Sequence, residues 1–463
     1  MRTSIINRIR KGIAVGLVIG TTMISTVVPV LANEPQQPQI SPWSIGTLNE
    51  GEKYGIYPMA WYIDKFQESI PEDKIVTLLD NVAQKLLELE LEKDETFSPQ
   101  VYVEDGTRGA ILAGLYNQLA CYQLPEELGF NDDPVVYMQQ RGILNGTDQG
   151  LALEEACTVE QATVFATRLI EDTYRAAQVG AKGLMWQVSK GENTLYLLGS
   201  IHIGDTSLYP LSEQVRDAFN QSDMLIVEAN ILGGQEGLDE FIQAAMYSDG
   251  SILPEHVSEE TYEKCVQVLG QYGLPVNAYD EFKPWCVAND LSVIVSSNSD
   301  SLQGGAEAAT LGIDRYFLTI AMLTGKPVAE LEGIMYQAEL FNSLSPEMQE
   351  EYLNSVLDEV LNPESSEGSK SAALLKLWTE QWYQGDIEGF TSSYSDAIGE
   401  EKGEFEQMLF GKRDQDMAKK LIQLLEKDGK TTYFVVIGAG HLVEEDTVID
   451  QLKEKGYVVE VVE

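Results

Sequence analysis

Hydrophobic positions change period partway along the chain. Between Asp73 and Leu91 apolar residues fall at Ile75, Leu78, Leu79, Val82 and Leu86, a three-and-four spacing that lines one face of a helix. A second helical unit begins at Pro134, turns at Arg141-Gly142-Ile143-Leu144-Asn145-Gly146-Thr147-Asp148, and restarts at Thr158-Val159-Glu160-Gln161. That last tetrad has the form of a capping box, which satisfies two orphan N–H groups at a helix start. From Met185 onward the pattern is different. Short β-branched and aromatic runs, Leu195–Leu198, Met224–Val227, Tyr433–Ile437 and Tyr457–Val462, alternate with helical stretches such as Leu211–Phe219, Met417–Leu425 and Thr447–Leu452.

These periods predict a smaller, mainly helical domain over 45–174. An α/β domain follows over 183–463, a mixed, partly parallel sheet flanked by helices. Ala176–Lys190 reads as the link between them. Ser296–Gly305 reads as a polar loop, and Ser365-Ser366-Glu367-Gly368-Ser369 as a break within a helical insertion.

Ahead of both units, Arg8, Arg10 and Lys11 precede the apolar stretch Gly12–Val30, and Val30-Leu31-Ala32 gives way to the polar Asn33-Glu34-Pro35-Gln36. This basic, apolar, small-residue order is that of a secretory signal peptide, so 1–32 is expected to be removed. The remainder would be secreted or held at the extracellular surface, off the membrane once cleaved. An uncleaved anchor is the alternative reading of the same stretch. The formal net charge of −43 repels phosphate backbones, so no nucleic-acid partner is expected. Cys121, Cys157, Cys265 and Cys286 match no zinc spacing and read either as two disulfides or as four buried thiols.

The chemistry is concentrated in two of the three histidines. His202 ends Leu197-Leu198-Gly199-Ser200-Ile201-His202, and His441 ends Val436-Ile437-Gly438-Ala439-Gly440-His441. Each is Gly-x-x-His after a strand-like run, and the C-terminal ends of parallel strands are where open α/β sheets place ligands. Two imidazoles at one crevice point to a metal site or to paired acid/base work. The third, His256, lies in a polar turn and reads as a surface residue.

Three carboxylates join the histidines. Glu228 closes the run Met224–Val227, where a buried charge needs a partner. Asp314, in Gly312-Ile313-Asp314, is either a ligand or the cap of the following helix. Glu332, in Leu331-Glu332, is either a ligand or an ion-pair partner for Arg413. No Gly-x-Ser-x-Gly elbow and no His-Glu-x-x-His is present, which sets aside serine hydrolases of that type and thermolysin-like zincins.

In order, Leu198-Gly199-Ser200-Ile201-His202, Ile226-Val227-Glu228-Ala229, Gly312-Ile313-Asp314 with Leu331-Glu332, and Gly438-Ala439-Gly440-His441-Leu442 resemble the TraB/GumN family and its Tiki-like metalloprotease relatives, over roughly Gly183–Glu463. The resemblance implies a divalent metal (Zn, Mn or Co) held by His202, His441, Glu228 and Asp314. Glu228 and Arg413 are then the catalytic residues, Arg413 as an anion-binding partner, and the substrate is a peptide or protein. Glu228 serves either as ligand or as general base. The alternative within the same family is a non-catalytic peptide-binding protein of the pheromone-sequestering type. Asn230, Asp414 and Glu444 depart from the family's usual aspartate, asparagine and glycine. The Pro134–Tyr174 unit resembles an S-layer homology module, which implies a cell-wall polymer partner, although Thr158-Val159-Glu160-Gln161 lacks that family's basic contact residue.

Overall fold

The computed structural model describes residues 40–99, 106–129, 133–146, 150–297, 301–362, 368–399 and 403–462. The proposed signal peptide, Thr147-Asp148 of the predicted turn, and Ser365-Ser366-Glu367 lie outside them. The described residues divide into two compact units: those within 40–181 together with Thr206–Glu213, and Lys182–Asp205 together with those within 214–462.

The helical unit is built from Ile45–Gly51, Glu72–Leu87, Arg108–Ala120, Pro134–Gln140 and Val159–Ala176. Leu78, Val82 and Leu86 are buried as their spacing requires. Thr158 and Gln161 form the reciprocal capping box. Three inter-helix segments run alongside one another, with Ile70 N–H on Cys157 O at 2.8 Å and Cys157 N–H on Gly106 O at 2.7 Å. The excursion Thr206–Glu213 was not visible in the sequence. It joins this unit through Ala181 N–H on Pro210 O and Ser212 N–H on Ala181 O.

The second unit carries a six-stranded sheet: β1 Leu184–Lys190, β2 Asn193–Ser200, β3 Met224–Val227, β4 Val328–Glu330, β5 Thr432–Gly438 and β6 Val459–Val461. Their order is β4-β3-β5-β2-β1-β6. The pairs β4/β3, β3/β5 and β5/β2 are parallel, whereas β1 is antiparallel to both β2 and β6. The fold is therefore the expected mixed, partly parallel sheet flanked by helices. One correction concerns the link: Leu184–Lys190 is a strand, with Leu184, Met185, Trp186 and Val188 buried. Its short alternation closes on two polar residues and was too brief to register as a strand. All four cysteines are free thiols, and His256 is exposed, bonded to Ser251 Oγ and stacked on Tyr247.

Candidate functional site

β2 and β5 are neighbours in register, with Ser200 opposite Gly438. The two Gly-x-x-His segments thus leave the sheet side by side at its C-terminal edge. The approach is close enough that a Cβ on Gly199 would lie 3.1 Å from Ala439 Cα, so the first glycine admits the second segment. Glu228 follows the adjacent strand β3 and is 3% exposed.

Each imidazole is mounted on an aspartate. His202 Nδ1 lies 2.5 Å from Asp314 Oδ2, and His441 Nδ1 lies 2.8 Å from Asp414 Oδ1. Carboxylates accept, so both histidines donate from Nδ1 and keep Nε2 as the lone-pair nitrogen when neutral. Nε2 of His202 is buried and has no hydrogen-bond partner. Burial pulls the His202 pKa down, but the Asp314 charge and its hydrogen bond outweigh burial and hold the pKa above the ordinary value.

Both aspartates come from first turns of helices, Asp314 from Ile313–Thr324 and Asp414 from Lys412–Leu425, where the positive end of the helix dipole favours a carboxylate. Asp314 is not the cap of its helix. Gly312 occupies that position without a side-chain cap, and a Cβ on Gly312 would lie 2.2 Å from His202 O. Ile313 N–H donates to Ile201 O at 3.0 Å. Gly312-Ile313-Asp314 is thus pressed onto the backbone of the first histidine segment. Asp314, expected among the ligands, has both oxygens engaged, Oδ1 by Ser200 Oγ at 2.9 Å and Oδ2 by His202.

Arg413 lies between two glutamates. It grips Glu332 in bidentate fashion, Nε to Oε1 at 2.8 Å and Nη2 to Oε2 at 2.7 Å. It also reaches Glu228 Oε2 at 3.1 Å and Leu409 O at 3.2 Å. With 1% exposure and four such bonds, the guanidinium is a carboxylate clamp rather than the open anion receptor the sequence implied. Glu228 Oε1 accepts the Gly438 N–H at 2.6 Å. Burial pushes Glu228 up, further than His441 and Arg413 pull it down; for Glu332 burial is outweighed by Arg413, and its pKa falls. Two carboxylates on one guanidinium are thereby driven apart, one suited to take a proton and one held ionised.

His202, Glu228, His441, Arg413 and Glu332 therefore occupy one buried, electrostatically linked cluster. Among the described residues, no three His, Cys, Asp or Glu side chains stand in a geometry that would hold a metal ion. Sequence reasoning missed three contributors: Asp414 as the mount of His441, Ser200, and Gln337, whose Nε2 is 3.4 Å from Glu228 Oε2. Only Ser200 carried a signal, being inside a Gly-x-x-His frame.

Residues 184–461 match the model of the TraB/PrgY/gumN family. The protein named Metalloprotease TIKI2 from Xenopus tropicalis is 43% identical over 56 residues, 12% of this chain and 11% of that one. The Metalloprotease TIKI homolog of Amphimedon queenslandica is 22% identical over 315 residues, 59% of this chain and 60% of the relative. Uncharacterized protein YbaP of Escherichia coli (strain K12) is 27% identical over 154 residues, 33% and 54% of the two chains. The chain thus spans between 11% and 60% of the length of these relatives. No solved structure matches it.

Proposed function

This chain belongs to the TraB/PrgY/gumN family, and on that premise we propose that it is a secreted or surface-associated, metal-dependent peptide hydrolase. The observation that carries the reading is the paired mounting of His202 and His441, each on an aspartate through Nδ1, with a buried and unpartnered Nε2 on His202. Metal-binding histidines carry this carboxylate on the far nitrogen. The charge balance agrees, because Glu228, Asp314 and Asp414 are buried and the Glu332 side chain is 5% exposed in the cluster around the Arg413 guanidinium, and uncompensated buried charge is costly.

The residues that would hold a divalent cation are His202 and His441 through Nε2, with Glu228 as base, or as third ligand once released from Arg413. Such a cation, when bound, lowers the pKa of its water and polarises a carbonyl. The chain's own residues do the rest. Glu228, whose pKa is raised by burial, is the carboxylate suited to accept a proton. Arg413 and the Gly438 N–H orient its two oxygens, and Glu332 keeps Arg413 in place. Asp314 and Asp414 fix the imidazole planes.

Names of two relatives as metalloproteases support peptide bonds as the target. Secretion belongs to the same proposal and rests on the Arg8–Ala32 pattern; no helix among the described residues is long and apolar enough to cross a membrane. So does contact of the helical unit with a wall polymer, on its helix–turn–helix resemblance.

The test is cleavage of a peptide library by the purified chain with added Mn, Co or Zn, abolished by chelation and by His202→Ala. The sequestration reading has one observation in its favour, that Glu228 already carries three hydrogen-bond donors. Peptide binding without cleavage under any metal would establish it instead.

A further inference from the structure

The end of strand β2 holds a hydroxyl with a single task. Ser200 is the last residue of the strand, fully buried, opposite Gly438 of β5. A buried hydroxyl left unpaired is costly, and the side-chain bond that satisfies this one goes to Asp314 Oδ1 at 2.9 Å. The same carboxylate accepts from His202 Nδ1 through its other oxygen at 2.5 Å. Because Asp314 does not cap its own helix, Ser200 and His202 are the two donors that define its plane. On the other half of the site, Asp414 is held in the same way, one oxygen on His441 Nδ1 and the other on the Gly411 N–H at 2.8 Å. The two mounts differ in one respect: the second oxygen is anchored by backbone at Asp414 and by a removable side chain at Asp314.

We infer that Ser200 is a positioning residue of the cation site, holding Asp314 in the rotamer that fixes His202 as the Nδ1–H tautomer with Nε2 as the ligand nitrogen. The inference rests on the metal-dependent reading for its consequence, though not for its geometry. Removing the hydroxyl frees Asp314 to rotate about its carboxyl torsion, and the imidazole it steadies loses its fixed plane and tautomer. Loss of the partner directly behind a metal ligand, here Asp314, weakens metal binding by about 10–100-fold, so loss of Ser200, which acts through Asp314, should weaken it by up to about 10-fold.

Two substitutions of different size separate hydroxyl from volume: Ser200→Ala, which is smaller, and Ser200→Cys, which fills the space with a weak donor. The chain has three histidines, so side-chain nitrogen spectra of the full chain labelled with 15N-histidine can be assigned by His→Ala variants. In the metal-free wild type, at a pH alkaline enough for His202 to be neutral, it is expected as a single Nδ1–H tautomer with a slowly exchanging proton. Both variants should show tautomer averaging at His202 with His441 unchanged, and both should bind Co(II) more weakly, by up to about 10-fold, in calorimetry. Unchanged His202 signals in both variants overturn the inference, whatever the metal result. If the wild type binds no Co(II), Mn(II) or Zn(II), the metal-dependent reading falls, while the nitrogen spectra still decide the role of Ser200.

Discussion

Arg413 shows how much a single buried side chain can hold. Replacing it with alanine leaves Glu228 and Glu332 facing each other without a cation, and breaking a buried ion pair from one side costs about 3–5 kcal/mol. Arg413→Ala should therefore unfold at markedly lower denaturant than wild type, and Arg413→Ala/Glu332→Gln should recover part of the loss. A second residue makes a prediction in pH. Asp290 is enclosed in the Pro284–Ser296 helix with one donor, Tyr279 OH at 3.1 Å, and burial pushes its pKa up to about 7. Its folded pKa lies above its unfolded one, so the unfolded state releases the proton first and stability falls as pH rises from about 4 to about 7. At roughly 1.4 kcal/mol per unit the full effect is about 4 kcal/mol. Asp290→Asn should be more stable than wild type at pH 8 and near parity at pH 4, read by denaturant midpoints; parity at both would refute the assignment.

Among the elements, the Ile313–Thr324 helix brings Asp314 to His202, and Gly312 sets how close it comes. Gly312→Ala drives a methyl into the His202 carbonyl and should cost about 1–3 kcal/mol by overpacking, with His202 losing its Asp314 contact. Gly270→Ala is the control, since nothing lies within 4 Å of its Cβ and alanine favours the helix interior by roughly 0.5–1 kcal/mol. Thermal melts of the two should shift in opposite directions. At this scale the sequence was readable wherever one period ran long enough. The Gly-x-x-His frames, β2, β3 and β5, and the capping box at Thr158 were all plain in it. Other features were not, for physical reasons. β1 is a short strand whose last two residues are polar and exposed. Asp414 reaches His441 from a helix first turn 27 residues upstream, a distance no local pattern encodes. The saturation of Arg413 depends on Glu332 and Glu228 arriving from two different strands.

For the molecule as a whole, the net charge of −43 is a field that opposes compaction. Added salt screens such self-repulsion, so the melting temperature should rise between about 0.02 and 0.5 M NaCl. The same field should draw cationic peptides in preference to acidic ones. In that case kcat/KM for a lysine-rich substrate falls over the same salt range while that for a neutral one stays level.

The pairing of β2 with β5 joins parts of the chain far apart in sequence, as the bond from Thr431 N–H to Asn193 Oδ1, 238 residues apart, illustrates. A ribosome adding about 5–20 residues per second needs roughly 10–50 s to pass from one strand to the other. For most of that interval His202 has been made while its companion strand does not yet exist, and the central sheet lacks the strand that sits between β3 and β2. The nascent protein consequently has an unpaired sheet edge until β5 is made, so chaperone demand should peak in the interval before β5 emerges.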